Sequence, residues 1–203
     1  MTVGDLCFLA AVAWVTAEAV WDSFRSTELP LWLLAPPLLL GLGYAISLGE
    51  ILYPLAVALL LLSTLIPSTF WRRLGGLLCL GLIGFILPVD HILLVAIYAI
   101  LWFLYEWNML GGADVIACVA FLLLRPELLL GYCLLLGLGL GAWWAGVRRH
   151  GLGYFRGIFT AWRRLPEHPP SEDELLTEGG PALWSVVLGI VLYFAFFMVF
   201  ARV

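Results

Sequence analysis

The sequence predicts an all-α fold, a polytopic bundle of about eight transmembrane helices, and three observations carry that expectation. First, 64% of its 203 residues are hydrophobic, only 12% are charged, and the mean hydropathy is +1.06. Soluble domains carry roughly 25% charged residues. Second, the apolar residues fall into consecutive stretches near the ~20 residues that a spanning helix needs. Third, prolines, glycines and charges punctuate those stretches at short intervals. In lipid every backbone polar group must be satisfied within the segment, which leaves a helix bundle as the natural solution. One integral membrane domain over 1–203 is expected, with a polar cytosolic loop at 148–180 inside it.

The elements follow from the breaks. The first apolar segment runs from about Val3 to Trp21, and a polar stretch from Asp22 to Leu29 ends at Pro30. It lacks a basic leader and a small-residue cleavage site, so it reads as a retained helix. The second runs from about Leu31 to Ser47, and Gly49-Glu50 makes a turn. The third covers about Ile51 to Ile66 and stops at Pro67, followed by Arg72-Arg73. From Leu74 to Asn108 the chain is apolar except at Pro88-Val89-Asp90-His91. A single helix of ~35 residues would overrun a ~30 Å hydrocarbon core, so this stretch is read as a helical hairpin. Reading it as one helix would lower the count, toward six. A sixth segment follows Asp114 and stops at Arg125-Pro126. The seventh covers about Leu128 to Val147, and the last about Ala182 to Ala201.

Charge sets the expected orientation. All ten basic residues are arginine. With the N-terminus outside, Arg25, Arg72, Arg73, Arg148, Arg149, Arg156, Arg163 and Arg164 face the cytosol, against Arg125 and Arg202 on the other side. That is a clear positive-inside bias. The net charge of −4 is small and scattered, which argues against nucleic acid. Cys7, Cys79, Cys118 and Cys133 stand singly in apolar segments, so they read as packed thiols rather than a disulfide framework or zinc site. No spacing of His, Cys, Asp or Glu suggests a metal, and no cofactor is expected.

The candidate chemistry lies in Asp22 and Asp114. A carboxylate near membrane depth costs ~2.5–3.5 kcal/mol on insertion scales, so an intramembrane acid is a functional residue by default. Asp22 closes the first segment, with Glu18 one turn before it and Arg25 three residues after. The like charges at i,i+4 raise the apparent pKa of one carboxyl. The bland reading is an interfacial Asp–Arg pair that ends a helix. Asp114 opens the sixth segment behind Gly111-Gly112-Ala113, where glycine permits close backbone approach and a helix N-terminus stabilises a carboxylate. Its bland reading is a helix-end charge beside a glycine hinge. Four helices separate the two acids, so both return to the cytosolic leaflet. Glu106, in Tyr105-Glu106-Trp107-Asn108, reads as part of an interfacial belt, with a third acid at the site as the alternative. Asp90 and His91 read as a solvated turn, and His150 and His168 as loop residues without ligand partners. The run Glu172-Asp173-Glu174 reads as solvated loop, with attraction of a basic segment as its functional alternative.

The two acidic motifs resemble those of the membrane-embedded GxGD aspartyl proteases, in the branch of type IV prepilin and archaeal preflagellin peptidases. In that family the first helix ends in an aspartate followed by basic and small polar residues and a hydrophobic-Pro step. Here Asp22-Ser23-Phe24-Arg25-Ser26-Thr27-Glu28-Leu29-Pro30 matches it. The family's second aspartate ends a GxGD sequence, matched by Gly111-Gly112-Ala113-Asp114. About a dozen residues and the topology carry the resemblance. The chain departs from the family at Ala113, in an extra apolar hairpin relative to six-helix members, and in lacking a cysteine-rich cytosolic domain. A second branch, presenilin and signal-peptide-peptidase-like proteases, is matched by Pro181-Ala182-Leu183 at the last helix. Those proteases place their first aspartate after a tyrosine directly before GxGD, where this chain has Tyr105-Glu106.

The resemblance implies Asp22 and Asp114 as catalytic residues, with Gly111, Gly112 and Arg25 meeting the substrate. It implies cleavage of a pilin-like or archaellin-like precursor, a basic leader ahead of a hydrophobic helix, at the cytosolic face of the cell membrane. The departures point to a minimal enzyme that only cleaves. A small proton- or cation-coupled transporter using the same acids is the reading from another class, and an inactive scaffold is a third. No half-to-half repeat supports the transporter.

Overall fold

The computed structural model describes residues 2–23, 31–49, 51–87, 92–106, 110–150 and 183–200; the side chains of 22, 23, 31, 145–150 and 200 lie outside the described set. Within it the chain is all-helical. In order the helices are α1 (Val3–Ser23), a 3-10 turn (Leu31–Leu34), α2 (Ala35–Ser47), α3 (Leu52–Ser63), α4 (Thr69–Ile86), α5 (Ile92–Glu106), α6 (Gly112–Leu124), α7 (Leu128–His150) and α8 (Leu183–Phe200). The breaks fall where the punctuation requires. Gly49 turns the chain at φ 85°, a conformation that glycine adopts without strain. Pro67 and Pro126 lie between helices, because proline lacks the donor that a helix interior needs.

The long apolar stretch is a hairpin, as expected. Arg72 of α4 meets Glu106 of α5, and a Cβ on Gly84 would sit 3.6 Å from Val95, so the two helices run antiparallel. One boundary differs from expectation. Arg72 and Arg73 belong to the early turns of α4, not to the loop before it, because the helix starts five residues sooner than the apolar run.

The central element is α6. It touches α1, α2, α3, α5, α7 and α8, and ten of its 13 residues are buried. Small residues let its neighbours approach. A Cβ on Gly41 of α2 would lie 2.9 Å from the Ala120 carbonyl oxygen, and one on Gly189 of α8 would lie 2.8 Å from the Cys133 carbonyl oxygen of α7. Gly137 and Gly141 on α7 face Ser185 and Gly189 on α8, a small-xxx-small seam on both helices. Such seams bring backbones together where lipid supplies no hydrophobic drive between helices. Tyr53 and Tyr98 share a buried hydroxyl–hydroxyl bond of 2.6 Å between α3 and α5.

Helices α2, α3, α5 and α6 have 12 to 15 residues, or about 18 to 23 Å at the α-helical rise. Among the described residues, Val3–Trp21 and Thr69–Ile86 are the two stretches long and apolar enough to cross a membrane by themselves; the apolar stretches of the other six helices span 10–17 residues. The outside of the bundle is nevertheless apolar: Phe85, Leu65, Leu78, Phe70 and Leu39 are all at least 65% exposed.

Candidate functional site

The relation of α1 to α6 decides where the two predicted acids lie. Asp5 pairs with Arg125, and the rings of Phe8 and Phe121 meet edge to face at 5.6 Å. The N-terminal end of α1 therefore lies against the C-terminal end of α6, and the helices are antiparallel neighbours. Asp22, in the last turn of α1, and Asp114, in the first turn of α6, fall at the same end of the bundle. The register set by Phe8 and Phe121 puts Val15 level with Asp114. Asp22 is seven residues beyond Val15, so its backbone stands about 10 Å further out along the axis. Phe8, Ala11, Val15 and Ala19 form the buried stripe of α1.

Asp114 is 2% exposed, the one charged residue buried as a whole among the described residues. Its place in the first turn sets its carboxylate at the positive end of the macrodipole of α6. Gly111 caps this helix at φ −66°, ψ 149°, values open to any residue. Its smallness matters for space: a Cβ there would stand 3.3 Å from Oδ2 of Asp114. A glycine hinge is thus unnecessary at Gly111, whereas room beside the carboxylate is required. Gly112 is the first residue of α6. Arg25 lies outside the described residues, as do Asp90, His91, His168, the run 172–174 and Pro181-Ala182.

Glu106 corrects its expected role. In place of a belt residue at the lipid surface, its side chain is 2% exposed and sits between two arginines of α4. Oε1 lies 2.6 Å from Arg72 Nε, and Oε2 lies 3.6 Å from Arg73 Nε. The antiparallel hairpin causes this, bringing the start of α4 to the end of α5. Two guanidinium groups beside it make Glu106 the shared partner of an ion-pair cluster, a structural role in place of a third acid at the site. Close by, a narrow apolar cleft between α3, α5 and α6 is lined by Leu60, Thr64, Tyr98, Trp102, Val115 and Val119.

Sequence reasoning missed a polar network at the opposite end. Arg125 Nη2 donates to Asp5, and its Nη1 donates to the Tyr193 hydroxyl at 2.9 Å. That hydroxyl donates in turn to Glu127 at 2.6 Å, and the guanidinium stands 5.0 Å from the Phe8 ring centroid. The Asp5 carboxylate also accepts the backbone N–H of Thr2 at 2.8 Å. Burial alone would pull the Arg125 pKa down. Its bond to the Tyr193 hydroxyl and the nearby Glu127 and Asp5 carboxylates outweigh that, so it sits above its ordinary value. Only the Arg125-Pro126-Glu127 spacing hinted at this cluster, and its partners lie 120 and 68 residues away.

Among the described residues, no cluster of His, Cys, Asp or Glu could hold a metal ion, and the four cysteines are free thiols. The chain matches no known family model, no characterised protein and no solved structure.

Proposed function

We propose that the chain is a membrane-embedded aspartic endopeptidase. Its substrates would be pilin-like or archaellin-like precursors, cut at the cytosolic membrane face between a basic leader and a hydrophobic helix. What carries the reading is the convergence of the last turn of α1 and the first turn of α6 at one end of the bundle. Each bears an aspartate, and one of them is buried in the central helix. The GxGD-like spacing of Gly111-Gly112-Ala113-Asp114 supports it, as does the Asp22 motif that ends α1. A membrane setting is supported by the apolar outer surface, since a contiguous exposed apolar shell is unfavourable in water.

In the proposed mechanism one aspartate is ionised and takes a proton from a water held between the pair. The other is protonated and polarises the scissile carbonyl. The hydroxide adds to the carbonyl carbon, and the tetrahedral intermediate collapses as the amide nitrogen is protonated. A coupled pair titrates as a unit, so the roles are assigned to the pair. The offset of about 10 Å between the backbones makes substrate seating part of the mechanism: side chains and water span part of the gap, and closure onto the peptide supplies the rest. Glycine at 111 leaves room for an extended substrate strand beside the Asp114 carboxylate.

The test is cleavage of a leader-bearing precursor by the purified chain in vesicles. The wild type cleaves, while Asp22→Asn and Asp114→Asn lose activity by at least 10²-fold, the usual contribution of a positioned acid or base. Full activity in either variant eliminates the mechanism. Proton or cation flux in the same vesicles without cleavage would favour the transporter instead.

A further inference from the structure

The start of α4 carries a group of side chains that the peptidase mechanism does not use. Phe70 and Trp71 are 66% and 60% exposed, and their rings meet edge to face at 5.3 Å. Arg72 and Arg73 follow. Both make their nearest approach to Glu106 through Nε, and Arg73 keeps 58% of its side chain exposed. One buried carboxylate faces two guanidinium groups, which leaves an excess of one positive charge. Below it, Leu74, Leu77, Leu78 and Phe85 are exposed along α4.

We infer that this corner binds the headgroup of an anionic phospholipid. Arg73 takes the phosphate, with Arg72 held in place by Glu106 beside it. Trp71 and Phe70 sit at headgroup level, where aromatic rings with one apolar and one wet side are favoured. The acyl chains run along the leucines of α4. Charge complementarity selects this occupant. A guanidinium matches phosphate oxygens by two parallel N–H donors, and the positive excess sits where an apolar helix surface meets arginine. A soluble acidic peptide has no use for the leucine surface, and a second copy of this corner brings like charge. Glu106 is a positioning residue here: it orders Arg72 without touching the lipid.

The inference rests on the membrane part of the proposed function and is independent of catalysis. Its test uses the full chain in nanodiscs of phosphatidylcholine with graded brominated phosphatidylglycerol. The readout is the Trp71 share of fluorescence quenching, taken as the difference between wild type and Trp71→Phe. The expected result is quenching that saturates at low anionic fraction. Arg73→Gln raises the half-saturating fraction about fivefold, the effect of one basic residue near an anionic surface, and Arg73→Lys recovers most of it. Arg163→Gln/Arg164→Gln serves as the control for general loss of positive charge and leaves the Trp71 signal unchanged. Equal quenching by brominated phosphatidylcholine overturns the inference, as does an Arg73→Gln curve identical to wild type. Displacement by inorganic phosphate assigns the site to free phosphate, and dilution-dependent quenching assigns it to a second copy; either removes the lipid. Failure of the chain to enter nanodiscs at all refutes the membrane reading instead.

Discussion

The two ends of α6 handle charge in different ways. At its C-terminal end Arg125 is tied to Asp5, Tyr193 and Glu127, so α1, the α6–α7 turn and α8 are joined by one network. Its charged members are partly exposed, Tyr193 is buried, and each is matched by an opposite charge or a hydrogen bond, as a structural cluster requires. At the N-terminal end Asp114 is 2% exposed in the first turn, and its glycine neighbour keeps space beside it. At that end of the bundle Arg72 and Arg73 pair with Glu106. The contrast teaches that one end of this helix spreads its charges over three neighbouring elements near the surface, whereas the other encloses a single acid within the bundle.

The largest expected effect separates the ends by kind. Asp114→Asn removes at least 10²-fold of cleavage while the unfolding midpoint in detergent stays near that of wild type. A matching fall in stability would place Asp114 among the structural groups. Arg125→Met has the opposite signature. It strands Asp5 and Glu127 and deprives Tyr193 of a donor, which costs about 1–3 kcal/mol; thermal unfolding should register that loss. Cleavage by the fraction that remains folded should stay within a fewfold of wild type. The double reversal Asp5→Arg/Arg125→Asp should recover part of the stability, because the pair meets again with its signs exchanged. No recovery would show that the network acts through packing on Phe8 rather than through charge. The smallest effect is expected at Glu106. Glu106→Gln keeps the shape, loosens Arg72 and lowers stability by about 1 kcal/mol, since its partners are partly solvated. Its cleavage rate should remain within tenfold of wild type, whereas a hundredfold loss would restore Glu106 as a third acid.

The helix order was legible because its punctuation is local. Pro67 and Pro126 and the glycine at 49 separate helices by their own backbone chemistry, so each of these breaks can be read without knowing what packs where. The place of Asp114 in a first helical turn was legible for the same reason. The network around Arg125 was not, because Asp5, Arg125 and Tyr193 carry no local sign of one another across the length of the chain. Glu106 was misread for a related reason. Its neighbours Tyr105 and Trp107 suggest a lipid-facing belt, and only the antiparallel pairing of α4 with α5 brings two arginines onto it. The seam of Gly137, Gly141, Ser185 and Gly189 was likewise hidden by the abundance of glycine, which numbers 21 in the chain.

The most direct test asks whether Asp22 and Asp114 act as one unit. Residual cleavage is measured for Asp22→Asn, Asp114→Asn and the double variant under identical conditions. Groups that share one water and one proton are strongly non-additive, so the double variant is expected to be no slower than the worse single variant. Losses that multiply across the double variant would mean two independent roles, and would contradict a catalytic pair.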